Sequence, residues 1–163
     1  MLFFWLFIIR ILKIDRFRYR DLTEGEVSIC KSVFGDLIDY DAVKIMNHPY
    51  LPWQPVNVFM APDGYIHARE ENFSLDYSKE NRAYQAVFIH EMAHVYQHQQ
   101  KINVLLKGAF LQTAYYLSCF RYDPYAYQLT PNKPFAQYNI EQQGDIAKDI
   151  FLQKIENIIL DKN

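Results

Sequence analysis

The residues of this chain best suited to chemistry lie in the stretch FIHEMAHVYQHQQ, residues 88–100. His90, Glu91 and His94 have the spacing H-E-x-x-H. Residues four apart on an α-helix differ by about 40° in direction and about 6 Å along the axis, so both imidazoles can bind one Zn²⁺ at about 2.0–2.1 Å. Glu91 lies about 100° round the helix from His90, where its carboxylate flanks the ion and can accept a proton from an attacking water. The motif therefore predicts metal-assisted hydrolysis with Glu91 as general base.

The surrounding residues help to distinguish a metal site from a polar helix that is merely rich in histidine, because many short matches bind nothing. The apolar run AVFI before His90 favours the metal site, since it places the motif against the core. His98 lies about 12 Å along the helix from His90, too far to bind the same ion. A histidine ligand six residues after His94 would need glycine at 97 and histidine at 100, but the chain has Gln97 and Gln100. We therefore predict that His98 is either a surface histidine or one that contacts a ligand without binding the ion.

A catalytic zinc has three protein ligands and one open position, so a carboxylate must complete this site. The downstream candidates are Asp123, Glu141, Asp145, Asp149 and Glu156. Glu141 is preferred because it falls in the first turn of a helix capped by Asn139, with Asp145 on the same face. We predict Glu141 as the third ligand, Asp145 as acceptor of a ligand histidine's free N–H, and close helix approach at Gly144. The alternative is that both acids only suit the positive end of the helix.

A tyrosine of the segment 119–138 could donate a hydrogen bond to the substrate oxyanion. This segment contains three prolines, and a loop of such length in a compact domain is more often functional than idle. The candidate donors are Tyr122, Tyr125, Tyr127 and Tyr138. The sequence does not choose among them, and tyrosines more often pack than react.

Two helix signals frame the first half of the chain. Thr23 and Glu26 form a Thr-x-x-Glu capping box, which predicts a helix that runs to Phe34 and stops at Gly35. Residues 82–100 contain no proline or glycine and repeat apolar residues at helical spacing, so the metal motif is predicted to lie on a helix.

The remaining patterns predict short strands and two further helices. AVKIM, residues 42–46, is a plausible strand, and VNVFM with YIHAR, residues 56–69, predicts a hairpin whose edge would suit an extended peptide. Further helices are predicted over residues 103–118 and from Asn139 to about Leu160. Strands segregated from helices indicate an α+β fold.

Composition limits the classes of protein that fit. With 163 residues, 50% hydrophobic and 17% aromatic, the chain can form one domain with a core, so disorder throughout is excluded. The formal charge of −2 and the lack of a basic stripe argue against nucleic-acid binding. Cys30 and Cys119 could pair, but without CxxC spacing they say little about the redox compartment.

We predict that the chain consists of an N-terminal segment, residues 1–21, and a domain, residues 22–163. Its apolar run MLFFWLFII is shorter than the roughly 20 residues that span a membrane, and its basic residues follow instead of preceding it, unlike a signal peptide. Three interpretations stay open: an anchor making weak membrane contact through residues 1–20, a helix packed on the domain, or a non-native start.

Two stretches of the sequence, HEMAHVYQ and YNIEQQGDIAKDIF, resemble the Vgr-related zincin metallopeptidase family, found in bacteria near type VI secretion spike and Rhs genes. LTEGEVSICKSVFGDLIDYDAVKI and YLPWQP are similar to its N-terminal part, so the likeness covers residues 22–152, without the apolar start. The resemblance implies a zincin-like fold, with a small sheet, a H-E-x-x-H helix and a C-terminal ligand helix. It implies His90 and His94 as ligands and Glu91 as base.

The resemblance is partial at the third ligand. Glutamate-liganded zincins of the thermolysin type carry Asn-Glu followed by an aspartate four residues later, whereas Ile140 separates Asn139 from Glu141 here. The family implies a bacterial protein, cytoplasmic or exported by a secretion system, and the apolar start leaves membrane association open. It supplies no substrate.

The sequence thus predicts a zinc-dependent hydrolase with one Zn²⁺, a metallopeptidase that acts on a peptide or protein. One alternative is a non-catalytic, zinc-stabilised module that docks onto a secretion-system partner or a membrane, which the small size and apolar start favour. Another is a zinc peptidoglycan amidase, which shares the chemistry but releases cell-wall fragments.

Overall fold

The computed structural model of this protein describes residues 16–160. In that range the elements are β1 (Tyr19–Asp21), α1 (Glu24–Phe34), β2 (Lys44–Met46), β3 (Ile66–His67), α2 (Arg82–Gln99), α3 (Val104–Leu117) and α4 (Ile140–Phe151). Short 3₁₀ turns occur at Glu70–Asn72, Tyr77–Lys79 and Phe135–Gln137. The small sheet precedes α2, α3 and α4, which is the α+β arrangement that the sequence pattern predicts.

The sheet supports the helix that carries the histidine motif. Its strand order is β1-β2-β3, with β1 antiparallel and β3 parallel to the central strand β2. Ile45 of β2 and Ile66 of β3 are fully buried in one cluster with Ile89 and Met92 of α2. The alternation of side chains along each strand therefore places one face of the sheet behind α2.

Helix α1 begins and ends where its sequence signals predict. The side chains of Thr23 and Glu26 form a capping box at its start, and Gly35 follows its last residue with a φ of 55°. The buried Glu26 carboxylate also accepts two hydrogen bonds from the Arg20 guanidinium, at 2.7 and 2.6 Å. This bidentate salt bridge connects β1 to α1.

The hairpin predicted over residues 56–69 is reduced to one pair of residues. Met60 and His67 form a single antiparallel bridge, while β3 pairs in parallel with β2. The buried side-chain amide of Gln54 donates to the carbonyls of Val58 and His67 at 2.7 and 3.1 Å, and so holds this turn of the chain together. Residues 56–59 form no ladder, so this segment is not the edge strand predicted for an extended peptide.

The last helix is shorter than predicted, because α4 ends at Phe151 and not near Leu160. Gln153 turns the chain with a φ of 58°, a left-handed conformation that glycine usually marks. The Asn157 side chain then donates to the carbonyl of Val33 at 2.9 Å, which fixes the C-terminal segment against α1.

The predicted N-terminal segment is described only from residue 16 onward, and residues 1–15 lie outside the described part of the chain. Within that segment, β1 is part of the sheet. No helix within residues 16–160 is long and apolar enough to cross a membrane.

Candidate metal centre

Helices α2 and α4 are in close contact at the predicted metal site. Asn139 caps α4 by accepting from the backbone N–H groups of Glu141 and Gln142, each at 2.9 Å. A Cβ atom on Gly144 would lie 2.5 Å from Cε1 of His90, so only glycine fits there. The cap directs the first turn of α4 towards α2, and the glycine lets the two backbones meet.

The structure brings the three predicted ligands together. Oε2 of Glu141 lies 3.5 Å from Nε2 of His90 and 3.6 Å from Nε2 of His94. Two atoms that bind one tetrahedral zinc at about 2.0–2.1 Å are about 3.4 Å apart. The three ligand atoms all lie within 4.8 Å of one another, so their spacing and their N, N, O donor set fit zinc. His98 is exposed and its ring packs against Gly64, outside this group.

Asp145 orients the first ligand histidine. Its Oδ1 lies 3.0 Å from Nδ1 of His90 and accepts a second hydrogen bond from Nζ of Lys148 at 2.6 Å. A carboxylate at Nδ1 favours the tautomer that leaves Nε2 free to bind a metal. Together with the charge of Lys148, the His90 contact also keeps the pKa of Asp145 below its ordinary value, although burial opposes this shift.

Gln97 orients the second ligand histidine, a role that the sequence did not predict. Its Oε1 lies 2.9 Å from Nδ1 of His94, and its Nε2 donates to the Ile140 carbonyl and to Oε1 of Gln143, both at 3.0 Å. The same amide therefore fixes the ring of His94 and fastens α2 to α4. The signal available in the sequence was the three-residue spacing from His94, which puts Gln97 on the same helix face.

Glu91 has the environment that a general base requires. It is 7% exposed and lines the cleft beside the histidines, and within residues 16–160 its Oε2 atom has no hydrogen-bond partner. Burial raises the pKa of Glu91, while the two neighbouring histidines oppose the shift. A buried carboxylate with a free oxygen next to a cation site is suited to accept and return a proton.

The histidines are surrounded by negative charge. Burial lowers the pKa of His90, but the hydrogen bonds that Asp145 and Glu141 accept from its ring outweigh this effect and raise that pKa to about 9. His94 shows the same competition, with Glu141 raising its pKa against burial. The two histidines in turn hold the pKa of Glu141 well below its ordinary value. The site thus attracts positive charge to the point where the ligand atoms converge.

A cleft of about 520 Å³ opens onto the ligands. Its other walls are largely apolar, with Val58, Phe59 and Met60 on one side and Val104 and Leu105 of α3 on another. The segment predicted as a hairpin therefore lines the cleft without forming a strand. Such an apolar cleft with a few convergent polar groups is typical of a ligand-binding site.

The four candidate tyrosines differ in position. Tyr125 lines the cleft, and its ring centre lies 6.2 Å from that of His90. Tyr127 donates to Oδ2 of Asp149 at 2.6 Å, and the hydroxyl of Tyr138 contacts the backbone of the same loop. Tyr122 is 40% exposed and does not line the cleft. Of the four, the structure brings Tyr125 to the cleft beside the predicted ligand His90.

The remaining sequence candidates lie elsewhere. Oδ1 of Asp123 accepts from the backbone N–H of Tyr125, and Asp149 pairs with Lys154 at 2.9 Å. Glu156 is exposed. Cys30 and Cys119 are both free, the first buried and the second exposed, so they form no disulfide with each other.

Comparison with known proteins finds a relative in a bacterial secretion system. No family model matches it. Over 138 residues it is 50% identical to the type VI secretion system spike protein VgrG2b of Pseudomonas aeruginosa, an alignment that covers 84% of this chain and 13% of that protein. The chain therefore spans a small part of this curated relative.

A solved structure agrees with that match. The effector domain of Pseudomonas aeruginosa VgrG2b superposes with a TM-score of 0.75 at 50% identity, covering 82% of this chain and 73% of the domain. This chain belongs to the Vgr-related family of type VI secretion effector domains represented by that of VgrG2b.

Proposed function

We propose that this protein is a zinc-dependent hydrolase that cleaves peptide bonds. The observation that carries the proposal is the convergence of His90, His94 and Glu141 within 4.8 Å, beside an unpaired, buried Glu91 oxygen. An N, N, O ligand set with a neighbouring carboxylate is typical of catalytic zinc sites. We also propose a zincin-like fold. It is supported by the division of the site between α2, which carries two predicted ligands and the predicted base, and α4, which carries the third predicted ligand.

When bound, a zinc ion would polarise a substrate carbonyl and lower the pKa of water. Glu91 would hold a proton taken from the attacking water at Oε2 and return it to the leaving amine. The hydroxyl of Tyr125 would donate to the developing oxyanion; burial and the nearby Glu141 and Glu91 raise its pKa, so the phenol keeps its proton at neutral pH. Asp145 and Gln97 would hold the ligand imidazoles in the required tautomer.

The family suggests how this protein is delivered and which protein is its secretion partner. The two relatives are named as a type VI secretion spike protein and its effector domain. We propose that this chain is likewise delivered by a type VI system, with a spike protein as its secretion partner. The apolar cleft walls suit a peptide or protein substrate with apolar side chains next to the cleaved bond.

A second candidate is a non-catalytic module of the secretion system whose metal only stabilises the fold. It is favoured by the names of the relatives, which give a spike protein and an effector domain and no reaction. In this case zinc would bind through the same residues, and Glu91 would have no role in turnover.

The two candidate functions predict different results in one experiment. The whole chain would be purified, its zinc content measured, and its cleavage of a mixed peptide library compared with that of Glu91→Gln. Glu156→Gln is the matched control, because Glu156 is exposed and outside the cleft. We expect one equivalent of zinc in all three proteins and cleavage lost in Glu91→Gln alone. Zinc without Glu91-dependent cleavage would reject the hydrolase, unless purified peptidoglycan is cut instead, which would identify an amidase.

A further inference from the structure

Helix α3 exposes apolar side chains that a small domain would normally bury. Val104 is its buried residue. Leu106, Phe110 and Leu117 are 67%, 72% and 80% exposed, and Phe120, just beyond the helix, is 61% exposed. The spacings of four and seven place the first three on one helix face. We call these four residues the outer stripe. Single exposed apolar residues are ordinary, but several large ones along one helix face indicate an interaction surface.

The outer stripe is separate from the cleft. The opposite side of α3 lines the cleft through Leu105, Gly108, Ala109 and Gln112, whereas no residue of the outer stripe does so. Substrate binding in the cleft would therefore leave the outer stripe uncovered. The exposure of the outer stripe therefore needs an explanation other than the substrate, namely a separate binding partner.

The charges around α3 are of one sign. Between Glu91 and Asp123 the sequence contains no Asp or Glu, while it contains Lys101, Lys107 and Arg121. All three cations are exposed, and none of them forms an ion pair with another residue of the range 16–160. An apolar row flanked by unpaired cations is complementary to a surface that is apolar inside and anionic outside.

The end of the stripe has the side chains of a membrane interface. The ring of Phe120 lies 5.0 Å from that of Tyr115 and 5.7 Å from that of Tyr116. Cys119 and Phe120, with φ of 53° and 64°, close the end of α3 in the left-handed region, and their backbone N–H groups donate to the carbonyls of Tyr116 and Tyr115, each at 3.0 Å. Tyrosine combines an apolar ring with a polar tip, and it is enriched at the headgroup level of membranes.

We propose that the outer stripe docks this protein onto an anionic lipid bilayer, with α3 lying in the plane of the interface. At about 21 Å, a helix of this length is too short to span the hydrocarbon but long enough to lie along its boundary. Leu106, Phe110, Leu117 and Phe120 enter the acyl boundary, while Lys101, Lys107 and Arg121 contact the headgroup phosphates. Because this contact needs neither zinc nor turnover, it stands or falls independently of the proposed hydrolysis.

The test is sedimentation of the whole chain with vesicles of phosphatidylcholine and phosphatidylglycerol in a three-to-one ratio, and with phosphatidylcholine alone. We expect binding to the anionic vesicles and weaker binding to the neutral ones. The affinity of the double variant Phe110→Glu/Leu117→Glu for the anionic vesicles should fall at least roughly tenfold, because two large apolar contacts are lost. The matched control is Leu75→Glu, which alters a side chain that is 77% exposed outside α3 and should bind as the wild type does.

Helix content and oligomeric state, measured on the same variants, distinguish loss of membrane binding from unfolding or dimerisation. Circular dichroism should show unchanged helix content in each variant, since all the substituted side chains are exposed. The apolar start of the chain is common to every variant, so undiminished binding by the double variant would assign membrane contact elsewhere and overturn the proposal. The absence of vesicle binding by the wild type would also overturn it. A wild-type dimer that the double variant makes monomeric, without vesicle binding, would show that the stripe pairs two copies instead.

Discussion

Oδ1 of Asp145 lies 3.0 Å from Nδ1 of His90, although the two residues are 55 positions apart. This contact joins α4 to α2 and leaves Nε2 of His90 facing Glu141. We expect Asp145→Asn to weaken zinc binding by about 10–100-fold, because the amide can still accept a hydrogen bond but supplies no charge. Competition with a chromophoric chelator would measure the change. An unaltered affinity would mean that Asp145 does not tune the ligand.

Gln97 makes three hydrogen bonds in the buried contact between α2 and α4. Gln97→Ala should lower the free energy of unfolding by about 2–4 kcal/mol, because it leaves buried polar partners unpaired and opens a cavity. It should also weaken zinc binding through His94. Urea unfolding measures the first effect. Gln100→Ala, at an exposed position after α2, is the control and should change little; equal effects at the two positions would contradict the assigned role.

Gly144 and Gly108 provide a matched pair. A Cβ on Gly144 would lie 2.5 Å from Cε1 of His90, whereas one on Gly108 would meet Cδ1 of Ile140 at 3.8 Å, an ordinary contact. We expect Gly144→Ala to destabilise the fold by about 1–3 kcal/mol and to reduce zinc binding, because α4 must move away. Gly108→Ala should be neutral or stabilise by up to about 1 kcal/mol, since alanine favours helix. Thermal unfolding and zinc titration of both variants would decide; a tolerated Gly144→Ala would show that the helices need not be so close.

Zinc binding should strengthen as the pH rises towards about 9. In the metal-free protein Asp145 and Glu141 outweigh burial and raise the pKa of His90 to about 9, so this imidazole is protonated at neutral pH. Zinc needs the neutral ring and must displace the proton, which costs roughly tenfold in affinity for each pH unit below that pKa. Calorimetry in buffers of different ionisation enthalpy would count the released protons. An affinity that is constant between pH 7 and pH 9 would contradict this account.

The sequence was most informative at positions where the site chemistry and the local helix structure both restrict the residue type. H-E-x-x-H on a long helix and an acid in the first turn after Asn139 predicted the positions that meet at the site. Gln97 was missed because His94 is oriented by a neutral amide, whereas the single orienting acceptor predicted was the carboxylate of Asp145. Tyr125 could not be selected, because only the path of the 119–138 loop brings it, and not Tyr122, to the cleft.

The two errors in the fold come from long-range side-chain contacts. The Gln54 amide donates to the carbonyl of His67, 13 residues further along the chain, in the segment predicted as a hairpin. Gln153 turns the chain after α4 without a glycine, and Asn157 holds the turned segment on α1. Neither effect has a local sequence signal, because each depends on a partner whose position is set by the whole fold. The zincin-like fold and the zinc ion stay predictions.

The most direct test of the central claim is the zinc content of the purified protein and two variants, measured by plasma emission spectroscopy. If His90, His94 and Glu141 form the metal centre, the wild type and His98→Ala should each retain one equivalent of zinc, while Glu141→Ala should retain close to none. The opposite pattern, with zinc kept in Glu141→Ala and lost in His98→Ala, would contradict the proposed metal centre.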